Sequence, residues 1–389
     1  MRATRILLGH FEKDLAGVHV ARLRLVFSAV VAAARSKQLT LTGLGRAMAE
    51  HTSHKHGIKR VDRLLGNVRL HAERLAFFRA LARRVVAPGS RPTIIVDWTA
   101  ITPGIWALVA AVSFEGRALV VYAEAHPISR YLKPSVNRAF LQQLHSVLPP
   151  CRPVIVADAG FRSPFMRLVL ALGWDYVIRL RGPAKIRHKV GQGWSRLTFL
   201  FGQVSRVRDF GTVQIGIMAK YETRLVGFRH KVWHRKYWSR VRRGTVQWRE
   251  RRAAHEPWIL ATSLSIEPRR LGKLYARRMQ IEETFRDTKS PRFGLCLGSA
   301  RTHSVERANV LLLLGAFAHL FSILVGVALE NTSLARGFQA NTVRTTRVLS
   351  LATIGMLAIA ALAGSALAPA LSRTHWLSLQ GRLDSASVF

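Results

Sequence analysis

The spacing of apolar residues predicts helices throughout residues 1–88. Leu, Val and Ala recur at helical intervals in "LAGVHVARLRLVFSAVVAAARS" and again in "RLAFFRALARRVV". Between them, "LTLTGLGRAM" and "HKHGIKRVDRLLGN" carry the Thr, Gly and basic residues typical of a helix-turn-helix. Two interpretations stay open for this region: a small DNA-binding domain, or a helical bundle with solvated Lys and Arg side chains.

From residue 89 the pattern changes to short buried strands. "PTIIVDWT" predicts a strand that ends in Asp97, and "WALVAAVSF" with "ALVVYAEA" predicts a hairpin around Glu115 and Gly116. "SVNRAFLQQLHSVL" predicts an amphipathic helix with Ser135 as its N-cap. "RPVIVADAGF" predicts a second buried strand, which ends in Asp158 and precedes a helix and the strand "WDYVIRL". This order of elements predicts a mixed α/β sheet.

Residues 181–257 interrupt that order and predict a β-rich insertion. Segments such as "RLTFLFGQV" and "VQIGIMAKY" alternate in the manner of strands. Within the insertion, "FRHKVWHRKYWSRVRRGTVQWRERR" interleaves Lys and Arg with Trp233, Tyr237, Trp238 and Trp248. Planar rings that stack on bases and cations that meet phosphates favour a nucleic-acid path. The alternative is a solvated strand face over a Trp-rich core.

Two strongly apolar stretches follow the insertion. "ANVLLLLGAFAHLFSILVGVALE", residues 308 to 330, is long enough to span a bilayer, and a weaker run covers residues 350–371. The polar residues His319 and Ser322 inside the first run favour a buried core helix over a membrane span.

The charge of the chain points to a polyanionic partner. Lys and Arg total 60 against 21 acidic residues, a formal charge of +39 over 389 residues. Nucleic acid can neutralise such a charge through its phosphates, and an anionic membrane surface is the rival partner. Cys151 and Cys296 match neither a zinc spacing nor a disulfide framework, and the first residues carry no secretory signal, so we expect a cytoplasmic protein.

Asp97 and Asp158 are the acidic residues that directly follow buried apolar runs. Taken singly, each is most simply a structural Asp that caps a turn. Two such carboxylates in one sheet favour a site for a divalent cation, because burying a carboxylate without a compensating cation is costly.

The stretch "YARRMQIEETFRDTK", residues 275 to 289, offers a third carboxylate on a predicted helix. At about 100° per residue, Tyr275, Arg278, Glu282 and Lys289 fall within a sector of roughly 60°. Glu283 and Asp287 lie outside that sector, and an apolar stripe of Leu274, Ile281 and Phe285 would seat the helix on the sheet. The alternative is a solvated face with ordinary ion pairs between neighbouring turns.

These residues resemble a group of bacterial insertion-sequence DDE transposases that share a Tyr-Arg-Glu-Lys signature. The spacing of Tyr275, Arg278, Glu282 and Lys289 reproduces that signature in full. "IIVDWT", "VIVADAGFRS", "PWILATSL" and "KRVDRLLGN" resemble further segments of the family, so that the likeness covers about residues 55 to 325. The resemblance implies a ribonuclease H-like, retroviral-integrase-like catalytic core interrupted by a β-rich insertion.

The resemblance also implies a division of the chain and roles for single residues. The implied segments are a helical N-terminal DNA-binding domain (1–88), the first part of the core (89–180), the basic insertion (181–257), the second part of the core with the catalytic helix (258–330) and a C-terminal helical region (331–389). Asp97, Asp158 and Glu282 would form the catalytic triad that binds two Mg²⁺ ions, with Mn²⁺ as a substitute. Tyr275, Arg278 and Lys289 would contact the transposon end. Trp258 matches a tryptophan that stacks on a flipped base, and a core tryptophan is the alternative.

The implied activity is cut-and-paste transposition. The protein would bind the terminal inverted repeats of its element, cleave the DNA and join the ends to target DNA by two-metal phosphoryl transfer. The partners would be double-stranded DNA and a second copy of the chain in a DNA-bridged homodimer, in the bacterial cytoplasm at the nucleoid, with no membrane partner. The alternative is a protein of the same fold that binds terminal repeats and does not cut.

Overall fold

The computed structural model describes most of the chain, in two compact units. The described residues are 2–49, 52–182, 184–188, 193–218, 220–229, 256–292, 294–332, 334–339, 342–343, 346–361 and 372–387. The first unit is Met1–Pro153 together with Arg277–Phe389, and the second is Val154–Ala276. The division into five segments, which the resemblance implies, stays a prediction.

The first unit begins with helices, as the apolar spacing predicts. They are α1 (Arg2–Gly9), α2 (Val20–Ser36), α3 (Leu41–Ala47), α4 (His54–Leu65) and α5 (Val68–Val85). Side chains of Thr40, Ser53 and Asn67 accept hydrogen bonds from the first free amides of α3, α4 and α5. The two helices of the predicted helix-turn-helix cross closely: a Cβ added at Gly57 would lie 2.2 Å from the carbonyl oxygen of Gly45.

A three-stranded antiparallel sheet follows the helices. Its strands are β1 (Thr93–Thr102), β2 (Ile105–Phe114) and β3 (Arg117–Pro127). The predicted hairpin is confirmed, with φ angles of 36° at Glu115 and 81° at Gly116, which is the backbone of a tight two-residue turn. The prediction that the first strand ends in Asp97 is wrong, because pairing with β2 continues from Asp97 opposite Val109 to Thr102 opposite Ile105.

Helix α6 (Pro134–Val147) packs its predicted apolar face into the first unit. Val136, Phe140, Leu144 and Val147 are buried, as expected. Ser135 is not the N-cap. Pro134 already occupies the first turn, where its missing amide hydrogen costs nothing, and Lys133 precedes it as the cap without a side-chain hydrogen bond.

The second unit is built on a mixed sheet. Its described elements are β4 (Val154–Ala157), α7 (Ser163–Ala171), β5 (Asp175–Leu180), β6 (Lys185–Arg187), β7 (Ser195–Arg196), β8 (Val207–Ile215), β9 (Tyr221–Phe228), β10 (Trp258–Thr262) and α8 (Pro268–Ala276). These strands run in the order β4-β5-β10-β9-β8-β6-β7. Strands β4 and β5 are parallel and the other described pairs of this unit are antiparallel, so the predicted mixed α/β class is confirmed.

The insertion is β-rich where it is described, but its strands differ from the predicted segments. "VQIGIMAKY" is not one strand, because β8 ends at Ile215 and β9 begins at Tyr221. The segment Leu197–Gln203, predicted as a strand, is a 3₁₀ helix, because its buried residues Leu197 and Leu200 recur every three positions. Most of the basic, aromatic segment, with its four named aromatic residues, lies within residues 230–255, outside the described part of the chain. The nucleic-acid path there stays a prediction.

The remainder of the first unit is helical. It contains α9 (Met279–Lys289), α10 (Val305–Asn331), α11 (Leu351–Ala361) and α12 (Arg373–Ser387). Helix α10 is long and apolar enough to cross a membrane, and its most apolar window is fully buried. It packs against α2, α5, α11, α12 and β3, which confirms the predicted buried helix. Gly326 and Gly355 let α10 and α11 touch, since a Cβ at Gly355 would lie 1.7 Å from the Ser322 carbonyl oxygen.

Candidate active site

Asp97 lies in the middle of β1, where its carboxylate is mostly covered. The side chain is 14% exposed, and its Oδ1 accepts a hydrogen bond from the Trp98 amide at 2.8 Å. Because the negative charge of a covered carboxylate must be compensated, Asp97 requires a cation beside it.

Arg278 is that cation, and it binds Glu282 as well. Arg278 Nη1 lies 3.2 Å from Asp97 Oδ2, and Arg278 Nη2 lies 2.7 Å from Glu282 Oε1. The guanidinium side chain is 16% exposed and that of Glu282 is 43% exposed. Two carboxylates from different elements, one on β1 and one on α9, therefore converge on a single planar cation.

Lys289 adds a second positive charge beside Asp97. Its Nζ donates to Thr99 Oγ1 at 2.8 Å, on the same strand as Asp97. Burial lowers the pKa of Lys289, while the charge of Asp97 acts to raise that pKa. The two acidic and two basic members of this group, Asp97, Glu282, Arg278 and Lys289, all belong to the first unit.

The helix predicted for residues 275–289 is two helices. Helix α8 ends at Ala276 and α9 begins at Met279. Between them, the amides of Gln280 and Ile281 bond to carbonyls only three residues back, those of Arg277 and Arg278. The prediction that Tyr275 shares one helix face with Glu282 and Lys289 is therefore wrong, although Glu282 and Lys289 do lie on one helix.

The break has a tertiary cause, because each helix packs within its own unit. Helix α8 buries Leu271, Leu274 and Tyr275 in the second unit. Helix α9 buries Ile281, Thr284 and Asp287 in the first unit, while Phe285 is only partly buried. The predicted stripe of Leu274, Ile281 and Phe285 is thus replaced by two separate buried faces.

Polar contacts seat α9 on the hairpin. Thr284 Oγ1 accepts from the Ala118 amide at 2.8 Å and lies 3.0 Å from the Ala118 carbonyl oxygen. Gln280 Oε1 accepts from Ser113 Oγ at 2.8 Å and from the Phe114 amide at 3.0 Å. These contacts fix the rotation of α9 about its axis and hence the side on which Glu282 lies.

Asp287 is a structural carboxylate that the sequence reasoning did not assign. Its side chain is 3% exposed, and it accepts a hydrogen bond from Arg117 Nε at 2.6 Å. His319 Nε2, on the buried helix α10, lies 3.6 Å from the same carboxylate. Because Arg117 is 170 positions away along the chain, no local spacing could have revealed the pair.

Tyr275 and Trp258 contact each other in the second unit. Their ring centroids lie 5.0 Å apart at an interplanar angle of 70°, the edge-to-face arrangement that aromatic rings prefer. Tyr275 is 3% exposed, and Trp258 is partly buried at the start of β10. This contact fits the alternative of a core tryptophan, and the DNA contacts of both residues stay predictions.

Asp158 directly follows β4, which ends at Ala157, one residue before the predicted strand end. Its Oδ1 accepts a hydrogen bond from the Gly160 amide at 2.8 Å, which is the turn-capping role considered for this residue. Asp158 belongs to the second unit. Its place in a triad with Asp97 and Glu282 stays a prediction.

The first unit offers carboxylate oxygens, the type of ligand that a hard divalent ion binds. Carboxylate oxygens are the ligands that Mg²⁺ prefers, and those of Asp97 and Glu282 already face one shared cation. Among the described residues, no group of three or more His, Cys, Asp or Glu residues is placed to hold a metal. Asp97 and Glu282 would be the ligands from this unit, and the side chain between them is Arg278.

Helix α4 presents a basic surface. Its exposed side chains include Lys55, Lys59, Arg60 and Arg63. The acidic residue of the helix, Asp62, is paired with Arg307 at 2.6 Å. A helix whose exposed side is positively charged, held against its partner by a glycine crossing, fits the DNA-binding interpretation of residues 1–88.

The family profile described as "Transposase DDE domain" matches residues 88–321, a segment that contains Asp97, Asp158 and Glu282. The chain belongs to this family. A solved structure of a piggyBac transposase synaptic complex with hairpin DNA is similar at 10% identity and a TM-score of 0.42, covering 98% of this chain and 80% of that one. No curated protein matches the chain.

Proposed function

We propose that this protein is a DNA transposase of the bacterial insertion-sequence group with the Tyr-Arg-Glu-Lys signature and a ribonuclease H-like core. It binds the terminal inverted repeats of its element, cleaves the DNA and joins the ends to target DNA by two-metal phosphoryl transfer. It acts as a homodimer bridged by the two DNA ends, on double-stranded DNA in the cytoplasm.

The observation that carries this proposal is the convergence of Asp97 and Glu282 on Arg278 inside a transposase DDE domain. If Glu282 lay on an ordinary solvated face, it would form ion pairs only with neighbours on its own helix. Here the carboxylate shares its cation with a covered carboxylate on β1, and such a pair is a ready ligand set for a divalent ion.

In this mechanism the residues of the chain hold and orient the reacting groups. Asp97 and Glu282 would hold the metal ions through carboxylate oxygens, with Asp158 as the third proposed ligand. Arg278 and Lys289 donate to the phosphates that flank the cleaved bond and so fix its position. Bound divalent ions would activate the attacking water or 3′-hydroxyl and stabilise the leaving oxygen.

DNA binding draws on the charge of the whole chain and on helix α4. The excess of 60 Lys and Arg over 21 acids favours contact with phosphate along an extended surface. Helix α4 supplies exposed cations on one short element, which is the arrangement that a groove-binding helix uses.

The test uses the DNA that flanks the gene. Short inverted repeats that bracket the gene give the substrate, and purified protein is incubated with a labelled repeat end in Mg²⁺ or Mn²⁺. We expect metal-dependent nicking by the wild type and none by Asp97→Ala, Asp158→Ala or Glu282→Gln. All three variants should still shift the same DNA in a gel.

Two results would contradict the proposal in different ways. Full cleavage by one of the variants removes that residue from the site. Repeat binding without metal-dependent nicking by the wild type would instead identify a repeat-binding protein that does not cut.

A further inference from the structure

Arg278 pairs with both Asp97 and Glu282 and so compensates the negative charge of both carboxylates, as a bound divalent ion would. Its two terminal nitrogens are divided between them, at 3.2 Å from Asp97 Oδ2 and 2.7 Å from Glu282 Oε1. A planar guanidinium suits such a double contact, because its donors form a fixed fork.

The surroundings hold Arg278 in this bridge. Its side chain is 16% exposed and Asp97 is 14% exposed, so water screens their attraction only in part. Arg278 directly precedes α9, and Glu282 follows four positions later, so the backbone of the helix start places the two side chains side by side.

A divalent ion that approaches this pair meets positive charge. Arg278 already compensates both carboxylates, and Lys289 lies beside Asp97 through its bond to Thr99. An entering cation must separate Arg278 from the carboxylates, at a cost in electrostatic energy, unless an anion receives the guanidinium. A DNA phosphate is such an anion, since Arg binds phosphate through the same fork.

We propose that Arg278 is a latch that keeps the metal site closed until DNA is bound. In the DNA-free protein the guanidinium pairs with both Asp97 and Glu282, the carboxylates that would hold the metal. A backbone phosphate of the bound DNA then takes Arg278, and the two carboxylates become available to the ion. This proposal rests on the proposed function, which supplies the identity of the ion and of the DNA.

Because such a coupling is reciprocal, DNA raises the affinity for metal by the same factor by which metal raises the affinity for DNA. The bridge would prevent the protein from binding metal, and hence from assembling a catalytic site, before it has bound DNA. Metal binding itself, and not only DNA cleavage, therefore reports on the latch.

The experiment measures Mn²⁺ binding by electron paramagnetic resonance, in which bound ions lose the signal of free Mn²⁺. Wild-type protein, Arg278→Gln and the control Arg286→Gln are titrated without DNA and with a mixed-sequence duplex, and the duplex alone is subtracted. Arg286 is the matched control, because it lies on α9 and pairs with Glu283 at 2.9 Å.

Without DNA, we expect Arg278→Gln to bind Mn²⁺ about tenfold more tightly than the wild type, a typical size for coupled sites. Arg286→Gln should match the wild type. The duplex should tighten Mn²⁺ binding by the wild type and leave Mn²⁺ binding by Arg278→Gln unchanged. When Glu282→Gln is combined with Arg278→Gln, the increase in Mn²⁺ affinity that Arg278→Gln causes should be lost.

Unchanged Mn²⁺ affinity in a folded Arg278→Gln variant would overturn the latch. Equal affinity of the wild type with and without duplex would overturn it too, and that measurement needs no variant. If the wild type cleaves DNA while Arg278→Gln shows no gain, the proposed function stands and the latch fails. If Arg278→Gln binds Mn²⁺ more tightly but no form of the protein cuts DNA, the latch stands and the proposed function fails.

Discussion

At the scale of single residues, the carboxylates on α9 divide into three environments. Glu282 shares Arg278 with Asp97, and Asp287 is buried against Arg117. Glu283 pairs with exposed Arg286 at 2.9 Å and also lies 3.8 Å from Arg117. Helical rotation separates Glu282 from the other two, so that one short helix supplies a candidate ligand, a partly exposed ion pair and a structural anchor.

Replacing the anchor should destabilise the protein. Asp287→Asn leaves the covered guanidinium of Arg117 with only the longer contact to Glu283, at 3.8 Å, and breaking a buried pair typically costs about 3 kcal/mol or more. We expect a loss of that order in the free energy of unfolding, measured by denaturant titration. Glu283→Gln, which removes the pair with exposed Arg286 and the longer contact with Arg117, should cost less than about 1 kcal/mol. Equal effects of the two substitutions would contradict the assignment of Asp287 as the anchor.

The effect of Asp287 should depend on pH. Burial acts to raise the pKa of Asp287, but the contacts with His319 and Arg117 outweigh burial and lower it below the usual 3.8. Stability from a carboxylate with a lowered pKa is fully present above its unfolded-state pKa and is lost as the pH falls through the folded-state pKa. The difference between wild type and Asp287→Asn should therefore shrink below about pH 3.8.

The sequence could indicate the roles of some residues and not of others. Asp97, Asp158 and Glu282 stand out because they follow buried runs or match a spaced signature. The bond from Arg117 to Asp287 and the bridge from Arg278 to Asp97 join positions 170 and 181 residues apart, and no pattern within a helix or strand records such distances.

At the scale of elements, local periodicity predicted most helices and strands but not where they break. The pattern across residues 275–289 is helical throughout, and the break after Ala276 arises because α8 and α9 bury their faces in different units. The strand through Asp97 likewise continues because of its pairing with β2, which the apolar run "TIIV" does not reveal.

The close contact between α3 and α4 can be tested by a substitution that adds one methyl group. A Cβ at Gly57 would lie 2.2 Å from the Gly45 carbonyl oxygen, so Gly57→Ala must push the helices apart. We expect a loss of about 1–3 kcal/mol in the free energy of unfolding and weaker DNA binding in gel shifts. The control is Gly381→Ala on α12, where a Cβ meets nothing within 4 Å and helix propensity favours Ala. Unchanged DNA binding by a destabilised Gly57→Ala variant would contradict a role of this helix pair in holding DNA.

At the scale of the whole molecule, a strong positive charge and a long buried apolar helix occur in one chain. The first unit encloses the apolar helix α10 among other helices and β3, while the chain as a whole carries a formal charge of +39. The sequence alone could predict the charge and the presence of a long apolar segment. It could not decide between a membrane span and a core helix for residues 308–330, because that distinction depends on which elements cover the helix.

The central claim is that Glu282 acts in DNA cleavage as a member of a carboxylate metal site. Its most direct test compares Glu282→Gln with Glu283→Gln, neighbours on one helix that lose the same charge. The measurement is single-turnover nicking of the element's terminal repeat in Mg²⁺. We expect Glu282→Gln to lose at least about a thousandfold in rate, since charge stabilisation by a metal is worth several kcal/mol. Glu283→Gln should stay within about fivefold of the wild type. Equal rates for the two variants would contradict the claim.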